Sequence, residues 1–353
     1  MLITVLSALL IIGCTQNPST EPSSPDIPAG LTGGPMFKDG LNAHIRFFAS
    51  PVTGKEWGDC TYIEFPDGTN MLIDCGQLND SYSTGSAIAK ELSDCGVHKI
   101  DACILTHYHS DHANGFKALF EETDIKVGTF ISSPYIPKTG YQWLNYDLAI
   151  NGVDKMTVAA GDTFEYGGAQ FKVLWPVREN LTPVPEKNST DAAGVYTDEN
   201  PPVLGGSLDV NSKSLVIMMK YGTTKVLFTG DIYANRIAYS GAENWDYTGY
   251  DNPNSEEHLV EMYAGTDALD ADIMTAPHHG KRTSSSVEFI SAVSPAYAVA
   301  MGGNYQSDVK DRYTAAGAVF YLTGSTATAY KNALNKNVYV KLTGDGYLVT
   351  VGE

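Results

Sequence analysis

Basic residues are scarce in this sequence. It contains 23 Lys and Arg residues against 41 Asp and Glu residues, which gives a formal net charge of −18 at pH 7. Such a charge repels the phosphate backbone of a nucleic acid, so it argues against a protein that binds DNA tightly over a broad surface. It does not exclude a local basic groove, and nucleic acid therefore stays a disfavoured partner.

Long hydrophobic runs are also missing. The apolar run at the start of the chain covers residues 2–12, whereas a membrane-spanning helix needs roughly 20 residues. A short run of this kind is typical of the hydrophobic part of a signal peptide. It leads into Ile11-Ile12-Gly13-Cys14, which resembles the lipobox of bacterial lipoproteins, where the cysteine carries the lipid. We therefore expect a lipoprotein signal peptide at residues 1–13 and lipid attachment at Cys14.

The next segment lacks the apolar residues that a core needs. Residues 14–35 are rich in Ser, Pro, Thr and Gly, a composition that predicts a flexible tether. Residues 36–353 are predicted to form one domain, because the chemical motifs are spread across all of it and 43% of the chain is hydrophobic. The expectation is a monomeric, extracytoplasmic protein that is lipid-anchored to the bacterial cell membrane.

Cysteine pairs with the C-x-x-C spacing of a zinc site are absent. Beyond Cys14 the chain has Cys60, Cys75, Cys95 and Cys103. An even number of cysteines in an oxidising compartment permits disulfides. Three of the four lie in strand-like apolar runs, which favours buried thiols, and the sequence leaves both states open.

The most informative stretch is H-x-H-x-D-H, within Thr106 to His112. Imidazole and carboxylate groups both bind divalent cations of the zinc class. Residues 101–106 read as a buried strand and residues 113–122 as a helix, so the motif lies at the C-terminal end of a strand, where a short loop can direct several side chains to one point. The metal ligands that it predicts are His107, His109, Asp111 and His112.

Two further motifs follow predicted strands. Thr229-Gly230-Asp231 comes after an apolar strand that begins at residue 225, and Pro277-His278-His279-Gly280 comes after a strand at residues 271–276. An Asp after a strand can be a simple cap. Together with the first motif, it is a candidate for a carboxylate that bridges two metal ions.

The order of these motifs resembles the metallo-β-lactamase-fold hydrolases. The hairpin at residues 58–76 and the His-His-Gly sequence, followed by a Ser- and Thr-rich turn, are similar to one branch, the hydrolase domain of ComEC-type competence DNA-uptake proteins. The resemblance covers the chain from about residue 42 onward. It implies an α/β fold, a four-layer αββα sandwich, with two divalent metal ions that are zinc or, in its place, manganese or iron.

The resemblance also implies roles for the site residues. His107 and His109 would hold the first metal ion, and Asp231 would bridge both ions. The second ion would be held by Asp111, His112 and His279. His278 would face the substrate as an acid, a base or an oxyanion donor, and Asp111 or Asp231 would orient the attacking hydroxide.

One expected ligand is missing. Many enzymes of this fold place a third histidine on the first metal ion, but no histidine occurs between Ala113 and Glu257. The candidates for its replacement lie just before the strand that leads to Asp231, and they are Asp209, Asn211 and Ser212. A harder oxygen donor would favour manganese or iron, and the gap makes β-lactam hydrolysis a poor fit.

The resulting hypothesis is a binuclear phosphodiesterase or phosphoesterase that uses a metal-bridging hydroxide on a small-molecule or polymer phosphoester. An acidic and aromatic stretch with Trp245, Tyr247 and Tyr250 would suit a choline phosphoester if it lined the site. One alternative is a lipid-tethered binding or DNA-uptake accessory protein without catalytic activity. Another is a lactonase or β-lactamase-type hydrolase, which would share the metal ions.

Overall fold

The structure is a computed structural model, and it describes the chain with several gaps. The described residues are 40–49, 58–79, 83–134, 141–178, 207–234, 254–302, 307–324 and 336–352. Within residues 207–209 only the backbone is described. The predicted signal peptide, Cys14, the predicted tether and the stretch with Trp245, Tyr247 and Tyr250 lie outside the described residues.

The described part of the chain contains fifteen strands and nine helical segments. The strands are β1 (Ala43–Phe47), β2 (Thr61–Glu64), β3 (Asn70–Ile73), β4 (Lys99–Leu105), β5 (Lys126–Ser132), β6 (Asp154–Thr157), β7 (Thr163–Tyr166), β8 (Ala169–Trp175), β9 (Val216–Tyr221), β10 (Thr224–Phe228), β11 (Ile273–Thr275), β12 (Tyr297–Ala300), β13 (Val319–Leu322), β14 (Val338–Thr343) and β15 (Gly346–Val351). The helical segments are α1 (Thr84–Asp94), α2 (Ser110–Ala113), α3 (Gly115–Glu122), α4 (Gln142–Ile150), α5 (Ser207–Ser212), α6 (Ser255–Met262), α7 (Pro277–Gly280), α8 (Val287–Val293) and α9 (Ser307–Ala315).

The strands form two mixed sheets. The first has the order β15-β14-β1-β2-β3-β4-β5-β6, and the second has the order β13-β12-β11-β10-β9-β8-β7. Strands β3 and β4 pair in parallel in the first sheet, and β10 and β11 pair in parallel in the second. Because parallel neighbours end at the same edge of a sheet, the loops that follow each pair lie side by side.

Three apolar layers separate four layers of secondary structure. Along β9, Ile217 and Met219 face a core between the two sheets, whereas Val216 and Met218 face a core between the second sheet and its helices. A third core packs the outer face of the first sheet against α1, α3 and α4. The alternation places successive side chains on opposite faces of a sheet that is buried on both sides. The predicted α/β fold with four layers, αββα, is confirmed.

The structure differs from the sequence prediction around the first motif. Strand β4 ends at Leu105, and a helical turn begins at Ser110 rather than at residue 113. Asp111 and His112 therefore lie on α2, and extended backbone at His109 precedes it. The sequence prediction also missed α4, whose buried Leu144 and Leu148 pack on the first sheet.

Cys60, Cys75, Cys95 and Cys103 are free thiols, and Cys60, Cys75 and Cys103 are buried, as their positions in apolar runs favoured. Within the described residues, no helix has both the length and the apolar character needed to cross a membrane.

Candidate metal centre

Loops from both sheets meet at one end of the sandwich. The first sheet contributes Asp74 directly after β3 and His107 to His112 after β4. The second contributes Asp231 after β10 and the turn of α7 after β11. A hydrogen bond from the His278 backbone N–H to the Gly230 carbonyl, at 3.1 Å, ties the two loops of the second sheet together. The three motifs that lie far apart in the sequence are therefore adjacent in the fold.

The polar side chains at this edge form two groups that share one residue. The first group contains His107, His109 and Asp231. In each group, every residue has one ligand atom that lies within 4.8 Å of the ligand atoms of the other members. The second group contains Asp59, His112, Asp231 and His279. Because Asp231 belongs to both, its two carboxylate oxygens can face two neighbouring cations, which is the arrangement of a two-metal site.

The distances around Asp231 show how its oxygens are divided. Its Oδ2 atom lies 3.7 Å from Nε2 of His107 and 3.5 Å from Nε2 of His279. Its Oδ1 atom lies 3.3 Å from Nε2 of His112. Imidazole nitrogens thus approach the carboxylate on several sides, and the carboxylate is almost entirely buried.

Two atoms in the cluster are left without an acceptable hydrogen bond. Nε2 of His112 and Oδ1 of Asp231 are both buried, and neither has a hydrogen-bond partner among the described residues. Native proteins rarely leave buried polar atoms in this state unless an ion or a water satisfies them. Together with the nitrogen and oxygen donors around them, which suit zinc-class cations, these atoms show that the residues fit divalent metal binding.

Two carboxylates stand behind the histidines. Oδ2 of Asp74 lies 2.7 Å from Nδ1 of His112, and Oδ1 of Asp59 lies 2.7 Å from Nδ1 of His279. Each carboxylate thereby fixes the ring so that Nε2 faces the cluster, a common support for histidines that bind metal. Although Asp59 belongs to the second group by distance, its bond to Nδ1 places it behind His279.

The sequence prediction missed Asp59 and Asp74. Asp74 shares the weak signal used for Asp231, an acidic residue after an apolar strand, whereas Asp59 precedes its strand and lacks this signal. Asp74 follows β3, and Asp59 lies just before β2 next to Gly58. A Cβ atom at Gly58 would lie 2.1 Å from the carbonyl oxygen of Asp111, so this close approach of two loops requires glycine.

Asp111 lies at the side of the second group. Its Oδ2 atom is 3.1 Å from Nε2 of His279. Burial by itself would raise the pKa of Asp111. The contacts with His279 and His112 outweigh burial and hold this pKa well below its usual range. Asp111 is therefore an ionised carboxylate beside the cluster, positioned to complete the second group.

The two neighbouring histidines of α7 point to different surroundings. His278 and His279 both have left-handed backbone conformations, with φ of 51° and 57°. Nε2 of His279 faces Asp111 and Asp231, whereas Nε2 of His278 is 3.9 Å from Asp231 and 3.1 Å from Nζ of Lys281. His278 thus lies at the edge of the cluster and belongs to neither metal-binding group.

Of the three candidates for the missing histidine ligand, Asn211 has its side-chain amide at the site. Its Nδ2 atom donates to the Tyr233 hydroxyl at 2.7 Å and lies 3.5 Å from Nε2 of His278. Its Oδ1 atom is buried without a partner among the described residues. The carbonyl of Ser212 accepts hydrogen bonds from Trp175 and Ser255, and the side chain of Asp209 lies outside the described residues.

Charges in the cluster suit metal binding. Burial lowers the pKa of His107 well below its usual value, so this ring is neutral and can bind a cation. For Asp231, burial raises the pKa, but the nearby imidazoles of His279 and His112 hold it well below its usual range. Burial opposes protonation of His112, yet the carboxylates of Asp231 and Asp74 raise its pKa well above the usual value, so a cation would displace a proton there.

A buried polar network supports the turn after α7. The Glu256 carboxylate accepts hydrogen bonds from the backbone N–H groups of Ser285 and Ser286. Nη1 of Arg312 donates to the Ser285 carbonyl at 2.8 Å, and the Thr283 hydroxyl contacts Nδ1 of His278. The network thus connects a fully buried carboxylate to the segment that holds His278.

Comparisons with known proteins show what this chain is similar to. The profile of the Metallo-beta-lactamase superfamily matches residues 56–303. The chain is 26% identical over 242 residues to competence protein ComA of Neisseria gonorrhoeae, a match that covers 67% of this chain and 26% of that protein. It is 24% identical over 212 residues to ComE operon protein 3 of Bacillus subtilis, which covers 59% of this chain and 20% of that protein.

A further similarity is to a nuclease. The chain is 28% identical over 111 residues to ribonuclease Z of Methanopyrus kandleri, covering 31% of this chain and 37% of that protein. In the first two relatives, the region similar to this chain spans about a quarter of ComA and a fifth of ComE operon protein 3.

Replacing Asp74 by Asn should weaken metal binding at His112. The Asn amide group would donate to Nδ1 of His112, which would move the ring proton to Nε2, the atom that faces Asp231. We expect zinc affinity at the second group to fall roughly 10- to 100-fold. Equilibrium competition with a chromophoric chelator measures this, with Glu165→Gln on exposed β7 as a control. Unchanged zinc affinity in a folded Asp74→Asn protein would contradict the role of Asp74.

Stability should depend on pH through Glu256. Burial raises the pKa of Glu256 to about 7 from its usual 4.5, against the hydrogen bonds from Ser286 and Ser285. The folded state therefore binds this proton more tightly than the unfolded state. The stabilising effect of this bound proton is complete below pH 4.5 and is lost as the pH rises through about 7.

We expect Glu256→Gln to flatten the fall in unfolding free energy over this pH range, by up to about 3 kcal/mol. Urea unfolding at a series of pH values measures the slope, and the exposed Glu261→Gln provides the matched control. Equal slopes for the wild-type protein and Glu256→Gln would show that Glu256 does not titrate in this range.

Proposed function

The chain belongs to the metallo-β-lactamase superfamily, and we propose that it is a hydrolase of phosphodiester or related phosphoester bonds that uses two divalent metal ions. The observation that carries this proposal is the buried carboxylate of Asp231, shared by two groups of metal-binding side chains. Hydrolysis of a phosphoester benefits from two adjacent cations, because charge develops on both the attacking and the leaving oxygen.

We assign the residues as follows. His107 and His109 would hold the first ion, His112, His279 and Asp111 would hold the second, and Asp231 would be shared by both. When bound, such ions lower the pKa of water and offset the negative charge of the phosphoryl oxygens. Asp111 and Asp231 orient the attacking water, and His278 lies on the substrate side.

The choice of metal depends on the ligand that replaces the third histidine. Asn211 lies next to His278, and its buried Oδ1 atom has no partner among the described residues. An amide oxygen is a harder donor than imidazole, so it weakens the preference for zinc and makes manganese or iron competitive at the first position.

Several observations favour a phosphoester over a β-lactam or lactone. The third imidazole is absent, and a similar protein is named as a ribonuclease. The net charge of −18 disfavours a long nucleic acid, so a small-molecule phosphodiester or a short polymer is the better fit. The alternative of a binding protein without catalytic activity draws on the same missing imidazole, and it predicts fewer than two metal ions per chain.

The proposal predicts phosphodiesterase activity that depends on metal and on Asp231. Purified protein loaded with zinc or manganese should bind two ions per chain and hydrolyse bis(p-nitrophenyl) phosphate. Asp231→Ala should lower kcat/KM by at least about 100-fold, because neither group keeps its shared ligand. Asp154→Ala is the matched control, because Asp154 is exposed at the start of β6, at the end of the strand that lies away from the site.

Elemental analysis and a panel of phosphodiester, phosphomonoester, lactone and β-lactam substrates complete this test. Hydrolysis that survives chelation, or that Asp231→Ala leaves intact, would contradict the metal mechanism. If the protein binds two ions but hydrolyses only lactones, it is a lactonase and not a phosphoesterase.

We also propose that the protein acts outside the cytoplasm and is held to the membrane by a lipid on Cys14. The support is the apolar run at residues 2–12 that leads to Gly13-Cys14. When the full chain is expressed in a bacterium, it should incorporate labelled fatty acid and sediment with membranes, whereas Cys14→Ser should do neither. Equal labelling of the two proteins would refute lipidation at Cys14.

A further inference from the structure

A lysine stands next to the histidine on the substrate side of the site. Nζ of Lys281 lies 3.1 Å from Nε2 of His278, and the backbone N–H of Lys281 donates to the His278 carbonyl at 2.9 Å. Lys281 is partly exposed, whereas His278 is largely buried. The ammonium group therefore lies at the edge of the buried cluster, next to the imidazole of His278.

Hydrogen-bond chemistry fixes the direction of this contact. An ammonium group can only donate, so Nε2 of His278 must accept from Lys281. The remaining ring proton is then on Nδ1, where it can be donated to the hydroxyl oxygen of Thr283. In this arrangement His278 is neutral, and the positive charge nearest to it belongs to Lys281.

The neighbouring arginine has a different role. The Arg282 guanidinium makes a two-pronged ion pair with Asp308, with Nη2 to Oδ1 at 2.8 Å and Nε to Oδ2 at 3.0 Å. Arg312 binds the same carboxylate through Nη2 at 2.9 Å. Arg282 is thus part of the network that holds the turn, whereas the adjacent Lys281 faces the imidazole at the site.

The side of the site with Lys281 also carries a neutral donor. Nδ2 of Asn211 lies 3.5 Å from the same Nε2 atom of His278, and that atom lies 3.9 Å from Oδ2 of Asp231. Donor groups on two different elements therefore approach the same ring nitrogen beside the shared carboxylate. An anionic oxygen that reached this edge of the cluster would meet the ammonium group of Lys281, a group that binds phosphate oxygens in proteins.

We propose that Lys281 is a substrate-binding residue that contacts a negatively charged, non-bridging oxygen of a phosphoester. The site then selects substrates that carry a charge at the scissile group over neutral esters and lactones. This inference rests on the proposed phosphoesterase function and specifies its substrate class. Lys281 offsets the acidic surroundings that would otherwise repel an anion, which matters in a chain of net charge −18.

The test compares two substrates that differ in charge but share a leaving group. Metal-loaded wild-type protein, Lys281→Met, Lys281→Gln and Lys281→Arg are assayed on anionic bis(p-nitrophenyl) phosphate and on neutral dimethyl p-nitrophenyl phosphate. Lys90→Met, which removes one exposed positive charge on α1, is the matched control. Metal content and thermal unfolding of each variant show that the folded site is intact.

We expect Lys281→Met and Lys281→Gln to lower kcat/KM for the anionic diester roughly 10- to 100-fold, the usual effect of losing a hydrogen bond to a charged group. The neutral triester should change by less than about threefold, and Lys281→Arg should restore most of the loss on the diester. Lys90→Met should match the wild-type protein on both substrates. Equal losses on the two substrates, or no loss on the diester, would overturn the proposal.

Binding of inorganic phosphate separates this inference from the proposed function. Calorimetric titration of the metal-loaded proteins with phosphate needs no turnover, and we expect phosphate to bind the wild-type protein at least about tenfold more tightly than Lys281→Met. If the wild-type protein hydrolyses no phosphoester, the proposed function fails, but this difference in phosphate binding would still support an anion site at Lys281. Active wild-type protein with equal phosphate affinity in both proteins would refute the role of Lys281 alone.

Discussion

The shared carboxylate of Asp231 is the group on which the arrangement of this site depends. It is buried among the imidazoles of His107, His112 and His279, and removing a charge from water is costly unless partners compensate for it. The surrounding loops can therefore adopt these positions only if opposite charge gathers around Asp231, from protonated imidazoles or from metal ions. This requirement explains why ligands from both sheets converge on one small volume.

The fold satisfies this requirement through its parallel strand pairs. Ile73 pairs in register with Ile104, and Leu227 pairs with Met274, so each pair delivers two loops to the same edge. Carboxylates behind the rings then set the tautomers, with Asp74 behind His112 and Asp59 behind His279. The strand ends themselves thus position these groups, because each group lies in the residues that directly follow a strand or in a loop that touches one.

Much of this arrangement was predictable from the sequence, because its signals are local. H-x-H-x-D-H, Asp231 and the His278-His279 pair each follow an apolar strand, and strand ends are where side chains converge in sheets of this kind. Asp59 and Asp74 were missed because a single acidic residue beside a strand has many structural roles, and only the distance to a histidine distinguishes them. The helical position of Asp111 and His112 was also missed, since a one-turn helix has too few residues to show a periodic pattern.

The site is divided between the two halves of the sandwich. The β4 loop with its histidines belongs to the first sheet, whereas Asp231 and His279 belong to the second. Neither half alone carries all the residues of either group of metal-binding side chains. A nascent chain on the ribosome would therefore lack both complete groups until residues near 280 had emerged and docked, so the site can assemble only late in synthesis.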